Sequence, residues 1–122
     1  MIRRVLLVGY EDQDNLGIRY LSGRLLRDGH HVRIVAVGTD PDMLLATIQA
    51  EQPDLVGFSL IFQYMVPEFA RTIRTLRAAG VRAHFTIGGH YASFEPEALL
   101  RFIPELDSVV RFEGEETLAE LA

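Results

Sequence analysis

The decapeptide Pro53-Asp54-Leu55-Val56-Gly57-Phe58-Ser59-Leu60-Ile61-Phe62 decides the fold. Leu55, Val56, Phe58, Leu60, Ile61 and Phe62 are interrupted only by Gly57 and Ser59, a run too short for a lone helix and too apolar for a strand wetted on one face. It reads as the central strand of a parallel sheet covered by helices on both sides. Such sheets bind ligands beyond the carboxyl ends of their strands, where the strand order reverses, which puts Ser59 and the residues after it on the ligand side. Gly57, where a side chain would normally pack, marks a close approach of another group to the backbone.

Working outward, the same pattern recurs. Ile2 to Gly9 is a first strand, with Val5, Leu6, Leu7 and Val8 as its apolar run, followed by a polar loop from Tyr10 to Gly17. Apolar residues at Leu16, Tyr20, Leu21, Leu25 and Leu26 fall at helical spacing until Gly29 stops them. Val32 to Val37 is a second strand; Asp40 caps and Pro41 opens a helix marked by Met43, Leu44 and Ile48. Beyond the central strand, Pro67 opens a helix with Phe69, Ile73 and Leu76 inward and Gly80 at its end. Ala83 to Ile87 is a fourth strand stopped by Gly88-Gly89, and Pro96 begins a short helix carrying Leu99, Leu100 and Ile103, closed by Pro104. Ser108 to Arg111 is a brief fifth strand, and Gly114 to Leu118 begins a last helix. Strands alternating with helices predict an α/β fold, a three-layer doubly wound sandwich, flavodoxin-like or Rossmann-like, with five parallel strands in the order 2-1-3-4-5.

Length and composition bound the function. The 122 residues make one domain, 1–122, and the abrupt end of the last helix is read as the edge of a piece excised from a longer protein. Hydrophobic residues at 48% and charged residues at 24% are those of an ordinary globule. No apolar run approaches the roughly 20 residues of a membrane span, and no secretory cleavage site follows Val8; the expectation is cytoplasmic, with no membrane partner. With no cysteine, the chain holds neither a disulfide nor a thiolate-bound metal or iron–sulfur cluster. A net charge of −5, its basic residues scattered, argues against nucleic acid as a partner.

Several activities share this fold, so each is tested at the loops. A dinucleotide site needs G-x-G-x-x-G after the first strand, whereas only Gly9 and Gly17 stand there. Flavin phosphate would be repelled by Glu11, Asp12 and Asp14 in the same loop. A phosphoacceptor receiver domain needs an aspartate ending the third strand and a lysine after the fifth; the chain has Ser59 and Arg111-Phe112. A calcium loop begun at Asp12 would require a glutamate where Gly23 stands. The loop acids then solvate the loop and cap the helix near Asn15. His30 and His31 are read as exposed loop residues and His84 as a packed or edge-exposed strand residue. His90 follows Gly88-Gly89 on the ligand side, where paired glycines make a tight turn or leave room for a ligand against the backbone.

Three loop segments, Asp12-Gln13-Asp14-Asn15-Leu16-Gly17, Ser59-Leu60-Ile61 and Gly88-Gly89, resemble the motifs D-x-H-x-x-G, S-x-L and G-G of cobalamin-binding domains. Forty-one residues separate Gly17 from Ser59 and 26 separate Ile61 from Gly88, close to that family's spacing. The chain resembles more closely still the cobalamin domains that precede the catalytic domain of radical S-adenosylmethionine enzymes, through Asn15 to Leu21, Pro53 to Ser59, Gly88 to His90 and Asp107 to Leu118. The last segment is similar to their R-G-E-G-E signature, with Phe112 in place of the first glycine.

The resemblance implies a module that holds cobalamin for a radical methyltransferase. S-adenosylmethionine, the [4Fe-4S] cluster and the C-terminal radical domain belong to the parent protein, and this domain alone is not expected to catalyse. It implies Tyr10, Asp14, Asn15, Leu16, Gly17, Ser59, Leu60, Ile61, Phe62, Gly88, Gly89, His90, Glu113 and Gly114 as cofactor-binding residues. A corrin is a broad, mostly apolar disc suited to Leu60, Ile61 and Phe62, and its nucleotide tail needs small residues along a channel: Gly9, Gly57, Ser59, Gly88 and Gly89. Ser59 is placed to hydrogen-bond the tail base. The departure is Asp14, which stands where the histidine ligand would be and is a harder, weaker partner for cobalt; the expectation is base-off binding without a histidine, with Asp14 named as the candidate cobalt ligand and a loop neighbour such as Asn15 as the other residue that would face the metal. The alternative is an interaction or regulatory module that kept the fold and lost the cofactor.

Overall fold

The chain's fold is seen in a computed structural model that describes residues 3–9, 23–36, 40–59, 66–88 and 96–109. Five parallel strands, β1 (Arg4–Gly9), β2 (His31–Ala36), β3 (Leu55–Ser59), β4 (His84–Gly88) and β5 (Ser108–Val109), form one sheet in the order β2-β1-β3-β4-β5. Between them run α1 (Pro41–Glu51), α2 (Val66–Ala78) and α3 (Pro96–Phe102), and residues 23–27 are also helical. The expected topology is therefore present, with β3 in the middle and Leu55 to Phe58 buried on both faces. The last helix, Leu60 to Phe62, and the extension of the fifth strand past Val109 lie outside the described residues.

Side chains alternate across the sheet, so each face has its own cover. On one face Leu6, Val8, Val56, Phe58, Phe85 and Ile87 meet Leu44 and Ile48 of α1, Phe69, Ile73 and Leu76 of α2, and Leu99 of α3. Phe58 is the hub, edge-on to Phe69 and Phe85 with ring centroids 5.8 and 5.7 Å away. On the other face Val5, Leu7 and Leu55 pack around Leu25 from the 23–27 helical turns.

Local chemistry ends the helices. The Asp40 carboxylate accepts the Asp42 backbone N–H at 3.0 Å ahead of Pro41, the cap expected from sequence. Gly29 (φ +87°) and Gly80 (φ +92°) each take the left-handed conformation that glycine adopts without Cβ strain. In both turns two amides close back on the helix, Gly29 to Leu26 and His30 to Leu25, Gly80 to Arg77 and Val81 to Leu76, which is the Schellman arrangement.

The structure corrects four side-chain expectations. Leu26, Met43 and Leu100 are exposed, each beside a buried leucine, Leu25, Leu44 or Leu99. Neighbouring helical positions are about 100° apart, so only one of each pair faces the sheet. His30 is no exposed loop residue: it is 8% exposed, and its Nδ1 accepts the Arg3 backbone N–H at 3.0 Å.

A repeated device fixes strand register at the amino ends. Asp54, just before β3, donates its backbone N–H to Arg4 O at 2.8 Å and accepts the Arg4 N–H on its carboxylate at 2.9 Å. Asp107, just before β5, does the same with Phe85, both distances 2.8 Å. Arg77 braces the second clasp: its Nη2 reaches Asp107 at 2.6 Å, Nη1 donates to Val81 O and Ala83 O, Nε donates to Glu105 O, and the guanidinium lies 3.8 Å from the Phe85 ring centroid. A lysine cannot reproduce that planar fork. We therefore expect Asp107→Ala to cost about 1–2 kcal/mol in urea unfolding and Arg77→Lys to cost at least as much, whereas Leu26→Gln, at an exposed site, stays within about 0.5 kcal/mol.

Candidate functional site

The reversal of strand order lies between β1 and β3, because the chain passes from β1 to β2 on one side and from β3 to β4 on the other. Gly9, Ser59 and Gly88 end the three strands around that point, and Ser59 is paired directly with Gly88. These three ends carry small side chains or none, at the edge of the sheet opposite the Asp54 and Asp107 clasps.

Below the rim the two faces of β3, β4 and β5 differ sharply. Cross-strand partners share a face, and the pairs Leu55 with His84, Gly57 with Thr86, Ser59 with Gly88 and Thr86 with Ser108 place Gly57, Ser59, Thr86, Gly88 and Ser108 on the Leu25 side. The opposite face of the same strands carries Val56, Phe58, Phe85, Ile87 and Val109, all in or against the main core. A band of hydrogen, methylene and hydroxyl groups is thus backed by a wall of large hydrophobes.

The hydroxyls in this band are connected. His84 Nε2 lies 2.9 Å from Ser108 Oγ, the Ser108 hydroxyl donates to Thr86 Oγ1 at 2.8 Å, and the Thr86 hydroxyl donates to the Ser108 carbonyl at 3.3 Å. Thr86 is buried and the other two are half-buried. His84 is half-buried at the start of β4, between the packed and edge-exposed placements expected for it. Thr86 and Ser108 were not singled out from sequence, since an isolated hydroxyl in a strand carries no signal until its neighbour is known.

Gly57 has a definite reason to lack a side chain. A Cβ there would sit 3.1 Å from Leu7 Cδ2 and 3.8 Å from Thr86 Cγ2, so the close group expected at this glycine is the leucine methyl of the adjacent strand. Of the sequence-derived candidates, Ser59 and Gly88 are brought together at the rim. Tyr10, Asp14, Asn15, Leu16, Gly17, Leu60, Ile61, Phe62, Gly89, His90, Glu113 and Gly114 lie outside the described residues. Among the described residues no three His, Asp or Glu side chains cluster as a metal site, and no helix is long and apolar enough to cross a membrane.

Small and hydroxyl-bearing residues running from the strand-order reversal across β3, β4 and β5 suit an elongated, partly polar ligand group. The family model of the B12 binding domain matches residues 2–122. The chain belongs to that family. The chain is 31% identical over 115 residues to an uncharacterized methyltransferase of Pyrococcus horikoshii, covering 87% of this chain and 23% of that protein. It is 32% identical over 102 residues to the hopanoid C-3 methylase of Methylococcus capsulatus, covering 82% of this chain and 20% of the methylase. Among solved structures it is similar to the cobalamin-dependent S-adenosylmethionine radical enzyme OxsB, with a TM-score of 0.81 and 25% identity over 98% of this chain and 18% of that one. The chain thus spans less than a quarter of the curated relatives it matches.

The packing at Gly57 is directly testable. Gly57→Val adds bulk toward both Leu7 and Thr86 and is expected to destabilise by about 2 kcal/mol. In a Leu7→Ala background the increment should fall by at least about 1 kcal/mol, read as a coupling energy in a double-mutant cycle of urea unfolding.

Proposed function

We propose that this chain is the cofactor-holding module of a cobalamin-dependent radical S-adenosylmethionine methyltransferase, and that it binds cobalamin base-off without a histidine lower ligand. The observation that carries this reading is the one-sided band of Gly57, Ser59, Thr86, Gly88 and Ser108, which starts on β3 at the strand-order reversal and runs across β4 and β5, in a chain of the B12-binding family.

The division of roles follows from position. Ser59 and Gly88 flank the entrance, where absent bulk admits a nucleotide tail and the Ser59 hydroxyl is available to its base. Thr86 and Ser108 line the deeper part, and the Leu7, Leu25 and Leu55 cluster closes the slot toward β1. Phe58, Phe85 and Ile87 behind the sheet hold that surface rigid. Leu60, Ile61 and Phe62 are assigned to the flat of the corrin, with Tyr10, Asn15, Leu16, Gly17, Gly89, His90, Glu113 and Gly114 around it. Asp14 takes the place of the usual imidazole, and a carboxylate binds cobalt more weakly. When bound, the cobalt centre would carry a methyl group; the radical domain, its iron–sulfur cluster and S-adenosylmethionine would come from the remainder of the parent protein.

Asp14 also favours a second reading, a regulatory module that has given up the cofactor. The two readings separate on retention. The purified chain, mixed with hydroxocobalamin and desalted, is expected to stay coloured, and its cob(II)alamin form to give an electron paramagnetic resonance spectrum without nitrogen superhyperfine splitting. A colourless protein fraction sinks the first reading, and nitrogen splitting sinks its base-off, histidine-free part. Ser59→Leu, which adds bulk at the entrance, should weaken cobalamin binding at least about tenfold while its thermal midpoint moves less than about 8 °C.

A further inference from the structure

The hydrogen-bond polarity of the Thr86–Ser108–His84 chain has a specific consequence for the ligand. We propose that Thr86 and Ser108 select the lower base of the corrinoid, favouring one with an N–H donor, such as a purine bearing an exocyclic amine, over an alkylated benzimidazole, which has none. The proposal rests on the corrinoid-holding reading above.

Each hydroxyl has a single proton and two lone pairs. The Thr86 proton goes to the Ser108 carbonyl and the Ser108 proton to Thr86 Oγ1. With both protons committed, the 2.9 Å contact between His84 and Ser108 Oγ requires His84 to be the donor through Nε2–H. Every donor of the chain is spent internally. What remains, among the described residues, is one free lone pair on Ser108 Oγ and one on Thr86 Oγ1, so the chain presents acceptors only.

Thr86 is 2% exposed, and the residues sharing its face on the neighbouring strand are Gly57 and Ser59. A base lying in this band therefore meets acceptor atoms that water reaches poorly. An N–H group on the base gains a hydrogen bond to such a lone pair, worth about 0.5–1.5 kcal/mol net, and an aromatic methyl group gains none.

The test is a set of dissociation constants, measured by optical titration of the whole chain with three corrinoids: one with an adenine lower base, cobalamin with its dimethylbenzimidazole, and cobinamide with no base. The adenine form is expected to bind about tenfold more tightly than cobalamin. In Thr86→Val/Ser108→Ala that ratio should collapse to within about twofold with cobinamide affinity unchanged, while Ser108→Thr, which keeps a hydroxyl, preserves it. Equal or tighter binding of cobalamin by the wild-type chain, or a preference that survives loss of both hydroxyls, overturns the proposal. The wild-type comparison needs no variant, so it decides the matter even if the double substitution fails to fold. Failure of all three corrinoids to bind overturns the underlying reading, and the proposal with it; binding of all three with equal affinity overturns the proposal alone.

Discussion

The aspartate clasps at the amino ends of β3 and β5 are the constraint on which the rest of the molecule depends. A parallel strand that slips by one residue presents its whole side-chain set to the opposite face. Here that slip would exchange Gly57 and Ser59 for Val56 and Phe58, or Thr86 for Phe85. Asp54 and Asp107 oppose it by binding both the N–H and the carbonyl of one residue on the neighbouring strand, Arg4 and Phe85 respectively. The clasps sit at the amino edge of the sheet, away from the carboxyl ends Gly9, Ser59 and Gly88, so they set the face without occupying that edge.

The molecule is accordingly asymmetric along its strands. The amino edge carries the charged and imidazole groups with clear partners: Asp54, Asp107, Arg77 with its four hydrogen bonds and its stacking on Phe85, and His30 on Arg3. The carboxyl edge ends in Gly9, Ser59 and Gly88. Rigidity supplied at one end lets the other dispense with bulk, a sound arrangement for a slot, since a slot lined by glycine contributes little packing energy of its own.

Much of this was legible in the sequence because it rests on strong local signals. Continuous apolar runs named the buried strands, Gly29 and Gly80 marked helix ends, Asp40-Pro41 marked a start, and alternation of elements gave the strand order. Periodicity failed by one position at Leu26, Met43 and Leu100, where adjacent hydrophobes cannot both face the sheet. The clasps and the hydroxyl chain were invisible for a different reason. Each joins residues distant in sequence, Arg4 with Asp54, Phe85 with Asp107, Thr86 with Ser108, and composition does not reveal such pairs before strand order and register are known. The candidate site was legible as Ser59 and Gly88; its loop residues rest on motif resemblance alone.

The same architecture serves proteins with unrelated chemistry, so the sheet order cannot by itself name a ligand. What is specific to this chain is how β3, β4 and β5 divide their residues between two faces. A sandwich that needed only stability would bury large hydrophobes on both sides of its central strands, as the apolar character of β3 at first implies. Instead one side is given over to glycine and hydroxyl groups while Leu7 advances to within 3.1 Å of where a Gly57 Cβ would be. That substitution of small for large forgoes packing energy at the centre of the sheet, where it would be greatest. A ligand bound by the folded sheet and not by the unfolded chain would stabilise the fold by mass action, so cofactor binding and fold stability should be linked in this chain.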